Sequence, residues 1–161
     1  MTDVRRSARL TEAAQPQHME TIEEAGRTPA RVRWSRLTFT ALAWLLVAAV
    51  IVQIFLAGLA VFVDAGRWAT HKSFVHTFEF VPLLMLALAF AGRQSRPIIT
   101  MTVALFVAIM LQYVLADLRT SGIPELAALH VVNGAGIYYL TMNLARRATA
   151  SVRRQPAGAS S

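Results

Sequence analysis

The chain contains no cysteine, which excludes disulfides, thiolate metal centres, iron–sulfur ligation and covalently attached c-type haem. Charge is scarce as well: 16% of the 161 residues are charged and 55% hydrophobic, whereas a soluble domain carries about 25% charged residues. Zinc-ligand spacing, a phosphate-binding glycine loop and a dinucleotide fingerprint are all missing. Acids are the rarer sign, nine against sixteen basic residues, for a net charge of +7. That excess suits nucleic acid only if it forms a patch, so its placement decides its meaning. The length permits one domain.

What is present is apolar sequence in blocks. Residues 37–63 contain no charge; as a helix they span roughly 40 Å, more than the ~30 Å hydrocarbon core. The run starts too late and is too long for a secretory signal. Three further apolar segments follow, at 73–91, 97–116 and 123–145, each sufficient for one crossing. The predicted fold is therefore all-α, a four-helix transmembrane bundle over residues 37–147, with disordered polar tails at 1–36 and 148–161. Short connections make successive helices antiparallel neighbours. Pro97 and Pro124 open the third and fourth helices, where first-turn amides lack helical acceptors. Pro82 is expected to kink the second helix and leave a carbonyl near Phe78 for a neighbour to satisfy.

Placement of the basic residues sets the orientation. Thirteen of the sixteen lie on the two tails and the second loop (Arg93, Arg96), against Arg67, Lys72 and Arg119 on the other two loops. The positive-inside rule then puts both termini in the cytoplasm and the chain in the cytoplasmic membrane as a multi-pass protein. The net charge becomes topogenic charge facing anionic lipid. The expected partners are the bilayer and other membrane proteins or a second copy, with no nucleic acid.

An offset of 59 residues superposes the first half of the apolar region on the second. Gln53-Ile-Phe-Leu-Ala57 falls on Gln112-Tyr-Val-Leu-Ala116, and His71 falls on His130. Such a match describes two helical hairpins related by an axis along the membrane normal. Gln53, His76, Glu79, Gln112 and Asn133, with the two histidines, fall toward the outer half of the bilayer and predict an intramembrane polar cluster. His130, Asn133, Gly134, Ile137 and Thr141 form one stripe of the fourth helix.

His71 and His130 form the best ligand pair, since neutral imidazole ligates haem iron axially. The alternative is that each merely bonds across helices. His76 is 140° around a helix from His71, because five residues turn 500°. It lies three residues from Glu79, within reach of an ion pair or shared proton. A di-iron carboxylate site is rejected, because it needs two Glu-x-x-His motifs and two more glutamates. The Gly134-Ala-Gly136 stretch reads as tight helix packing, and Trp34 and Tyr113 as interfacial anchors. No catalytic residue and no metal site beyond haem iron is identified.

The pattern Gln53-x-x-Leu-Ala-Gly58, His71-Lys72, Leu111-Gln112 and Leu129-His-Val-Val-Asn-Gly134 running to Arg147 resembles a family of small bacterial four-helix membrane proteins of unknown function. That resemblance implies the fold and no established activity. The repeated glutamine-then-histidine arrangement also resembles the four-helix halves of haem A synthase, whose histidines near the outer face ligate haem. Only His71 and His130 match ligand positions, and the acidic residue beside that enzyme's substrate has no counterpart. The leading reading is a non-catalytic accessory or interaction subunit. The alternative is a b-type haem protein for electron transfer or haem handling, ligated by His71 and His130, and a proton-coupled carrier using His76 and Glu79 trails both.

Overall fold

The computed structural model describes residues 29–154, apart from the Pro124 side chain; the tail residues expected to be disordered at 1–28 and 155–161 lie outside the described residues. In chain order the elements are α1 (Ala30–Phe62), a 3-10 turn (Ala65–Arg67), α2 (Trp68–Val75), α3 (Val81–Ala91), α4 (Arg96–Asp117), α5 (Pro124–Ala127) and α6 (Leu129–Arg153). The described residues are all-α, with no strand among them. Two helices, Ala30–Phe62 and Arg96–Asp117, are long and apolar enough to cross a membrane, and Val81–Ala91 is a shorter apolar helix.

The helix ends depart from the expected boundaries. The first helix begins at Ala30 and the last runs to Arg153, so parts of both expected tails are helical. Arginine is a good helix former, and absence of charge marks where a helix becomes apolar rather than where it starts. Asp64, just beyond the first helix, caps the 3-10 turn by accepting from the Gly66 amide at 3.0 Å.

The second apolar segment is two helices rather than one kinked helix. Residues 76–80 form turns, and Pro82 sits in the first turn of α3. Proline in a helix interior would lose a bond and collide with the carbonyl four residues back; starting a new helix at Val81 avoids both. The Phe78 carbonyl accepts locally from the Val81 amide at 3.0 Å, so no neighbouring leg is needed. Pro124 likewise opens the one-turn α5 rather than the long α6.

One apolar core joins the segments. Val32, Phe39 and Leu46 recur every seven residues along α1, with Ala43 and Val50 four residues after Phe39 and Leu46, all buried. From Phe39 onward this stripe meets Phe78 before α3, Met85 and Ala89 on α3, Ile98, Leu105 and Ile109 on α4, and Ile137, Leu144, Ala145 and Ala148 on α6. Alanines at several of these positions let the helix backbones approach closely. The buried hydroxyls of Thr102 and Thr141 donate to carbonyls four residues back, at 2.8 and 2.6 Å, so neither leaves an unpaired donor in the core.

α1 is fastened to the α3–α4 turn by Arg36, whose Nε donates to the Gly92 carbonyl at 2.7 Å and whose Nη2 donates to the Arg93 carbonyl at 3.1 Å. Gly92 is required by this approach. A Cβ there would stand 3.0 Å from the Leu88 carbonyl oxygen and 3.2 Å from the Arg36 Cγ. Gly92→Ala should therefore cost about 1–3 kcal/mol, the usual penalty for overpacking, measured as a lower melting temperature of the detergent-solubilised chain.

Candidate functional site

The first half of the site is a closed loop of hydrogen bonds between α1 and α2. His71 Nδ1 lies 3.1 Å from the Gln53 carbonyl oxygen. A carbonyl only accepts, so Nδ1 carries the proton and Nε2 carries the lone pair. The Gln53 side-chain amide then donates to His71 Nε2 at 3.2 Å and to the His71 carbonyl at 2.9 Å. Ala57, four residues beyond Gln53, presents too small a side chain to cover that carbonyl. Trp68 packs edge-on against the His71 ring, with centroids 5.3 Å apart.

The second half repeats the central bond. His130 Nδ1 donates to the Gln112 carbonyl at 3.1 Å, again across 18 residues, and Ala116 again stands four residues on. The rest differs. Asn133 Nδ2 donates to the Gln112 Oε1 and to the Ala108 carbonyl, both at 2.8 Å. The corresponding residue of the first half is Phe74, so Gln53 has no such donor and turns to histidine, leaving its Oε1 buried without a partner. A Cβ at Gly134 would meet the Gln112 amide nitrogen at 3.4 Å, an ordinary contact, and one at Gly136 would meet nothing within 4 Å. The His71 and His130 rings come together, with centroids 6.5 Å apart and planes inclined at 56°.

A separate cluster forms where the second segment breaks. His76 Nδ1 lies 3.2 Å from Glu79 Oε1, the contact expected from their spacing. Tyr113 donates from its hydroxyl to the other Glu79 oxygen, and its ring stacks on His76 at 6.2 Å. Sequence reasoning missed this role of Tyr113. The available signal was its position beside Gln112, which turns it toward a different neighbour from the glutamine's, together with the need of a half-sheltered carboxylate for donors.

All seven expected polar residues are thus engaged, but in two clusters: the glutamines, Asn133 and the paired histidines in one, and His76 with Glu79 in the other. No group of three or more histidine, aspartate or glutamate residues suited to a metal ion occurs among the described residues.

A family model described as a family of unknown function (DUF6220) matches residues 53–121. The matched stretch begins at Gln53 and includes His71, His76, Glu79, Gln112 and Tyr113, ending before His130. No curated protein and no solved structure matches the chain, so the likeness to haem A synthase stands on the residue pattern alone.

The Glu79 cluster makes a prediction about charge. Glu79→Gln keeps an oxygen to accept from Tyr113 and should leave the melting temperature in detergent close to that of the wild type. Glu79→Leu orphans the tyrosine hydroxyl and should be the more destabilising variant, by about 1–3 kcal/mol. A Glu79→Gln variant as unstable as Glu79→Leu would mean that the ionised carboxylate itself holds the segments together.

Proposed function

We propose that this chain is a four-helix transmembrane protein of the cytoplasmic membrane, both termini cytoplasmic, that binds a b-type haem between His71 and His130. α1, α2 with α3, α4, and α5 with α6 form the four crossings. Membrane embedding is supported by the two long apolar helices and by large apolar side chains turned outward, such as Phe62 at 87% exposure and Val131 at 74%. Water would penalise such a surface, whereas lipid accommodates it.

The observation that carries the haem reading is the matched pair of imidazoles. Each donates its Nδ1 proton to a helix carbonyl, the outer-sphere bond that orients a ligating histidine and raises its basicity. The two rings stand next to each other, with 6.5 Å between centroids, so His71 and His130 are the residues that would hold the iron. Bis-histidine haem supplies one-electron chemistry. The chain's part is to fix both tautomers and ring positions through the Gln53 and Gln112 carbonyls.

One observation favours a second reading, the non-catalytic accessory subunit. His71 Nε2 is already in contact with the Gln53 amide, which gives the imidazole a purely structural partner. On the haem reading that amide must turn aside.

The visible spectrum separates the two. Protein purified in mild detergent from haem-replete cells should show a Soret band and reducible α and β bands, lost or strongly altered in His71→Ala and in His130→Ala. His76→Ala should retain them. Colourless protein, or a spectrum lost in the His76 variant and kept in the His130 variant, would defeat the assignment and leave the accessory reading. Topology is tested independently by reporter fusions after Arg147 and within residues 64–72, which should report opposite sides of the membrane; a non-cytoplasmic C-terminus would remove the four-crossing count.

A further inference from the structure

Far from the histidines, the start of α1, the α3–α4 turn and the end of α6 enclose an open pocket of about 380 Å³. Arg36 and Gln53 are 17 residues apart on α1, so this end lies roughly 25 Å from the imidazoles along the helix axis. Arg36, Arg93, Arg147 and Arg154 line the pocket together with Gln94 and Ser151. Arg147, Ser151 and Arg154 fall at intervals of four and three, one face of α6. The described acids, Asp64, Glu79, Asp117 and Glu125, do not line it, and the His76–Glu79 contact is the only ion pair among the described residues.

Two features mark the pocket as built to receive acceptor atoms. Gln94 is 7% exposed; its Oε1 accepts weakly from Ser151 at 3.4 Å, while its Nε2 is buried with no partner. An unpaired buried donor is costly, and natural structures explain such groups by a missing partner. Alongside it, the 22-residue α4 follows Ser95, which lines the pocket and whose side chain forms no capping bond. The positive end of that helix therefore lies beside the pocket, although Pro97 has no amide proton and the Ile98 amide is bonded to the Ser95 carbonyl. Arginine guanidinium is the preferred side chain for phosphate, through parallel hydrogen bonds.

From this convergence we infer that the pocket is a phosphate-binding site, whose ligand is a phospholipid headgroup or free phosphate. Arg147 and Arg154 clamp the anion from the end of α6, and the Gln94 amide donates from the turn, beside the positive end of α4. Arg36 holds that turn in shape through the Gly92 and Arg93 carbonyls. The topology proposed above brings the site to the cytoplasmic membrane surface, where basic pockets between helices meet lipid headgroups.

The test is lipid retention by the full chain in mild detergent, read by native mass spectrometry with phosphatidylglycerol and phosphatidylcholine supplied equally. Phosphatidylglycerol should be retained preferentially. R147Q/R154Q should weaken its binding about thirtyfold, from the usual worth of two basic residues at an anionic surface. Both arginines are exposed, so the variant keeps its core. R67Q/R119Q removes equal charge beyond the other end and should leave retention unchanged. Inorganic phosphate distinguishes the sources: displacement of the lipid at millimolar phosphate identifies free phosphate as a ligand, and resistance identifies the headgroup. Equal retention of the two lipids without phosphate binding, or equal losses in the two double variants, would overturn the proposal. It rests on membrane embedding and not on haem, so release from membranes is scored first. A chain extracted by salt alone defeats the membrane reading, whereas a detergent-extracted chain without selectivity defeats only the phosphate site.

Discussion

A helix carbonyl normally serves one amide, four residues further on. At Gln53 and Gln112 it also accepts an imidazole proton from the element that follows. Much of the site depends on that sharing. It sets the register between each leg and the next, because a slide of one residue would carry the ring past the opening left by Ala57 or Ala116. The same bond assigns the Nδ1 proton, so Nε2 is the acceptor in both rings. Holding both histidines to fixed points on neighbouring legs also brings the rings to 6.5 Å from each other. On the proposed membrane reading such side-chain hydrogen bonds average about 0.6 kcal/mol, so these contacts specify geometry more than they supply stability. The packed stripe of α1 and the alanines facing it supply that.

Much of this geometry is legible in the residues, and the reasons differ from place to place. The glutamine-then-histidine arrangement, found twice, marks the residues of both contacts, but the bond from imidazole to glutamine carbonyl is seen only in the fold. Helix periodicity places His130, Asn133 and Ile137 on one stripe, and Asn133 does reach Gln112 from it. The helix ends are less legible, because charge and helix formation are separate properties: Arg31, Arg33, Arg146 and Arg153 are excluded by an apolar window and helical nonetheless. The break before Pro82 is harder. Proline in an apolar segment is compatible with a kinked helix or with a fresh start, and the choice rests on whether residues 76–80 close local turns. Those turns place Glu79 beside Tyr113, a juxtaposition between distant segments that spacing along one helix does not encode.

The two ends of the molecule differ in their chemistry. Around the histidines the donors and acceptors are largely neutral and find each other within the chain, and Glu79 has both Tyr113 and His76. At the other end, cationic side chains gather around a turn with no described acid among the pocket residues, and a buried amide nitrogen lacks an acceptor. One end is nearly self-satisfied and the other is short of negative charge. That difference is why the histidine cluster is compatible with a purely structural role while the arginine pocket calls for an anion.

The halves are also unequal where they correspond, and the inequality bears on what the histidine pair can do. Asn133 occupies the Gln112 side chain, so His130 is tied only through Nδ1 and makes no other hydrogen bond among the described residues. Phe74 stands in the equivalent place of the first half and offers Gln53 no polar partner. Gln53 therefore donates to both the ring and the carbonyl of His71, while its own oxygen stays unpaired in a buried position. An unpaired oxygen beside a doubly used amide nitrogen is not the best arrangement for a glutamine. Little is lost when such a side chain swings away from the ring, and the Nδ1 bond that orients His71 is untouched by that movement. On the haem reading, the first half supplies the ligand that is released and the second the ligand that is already open.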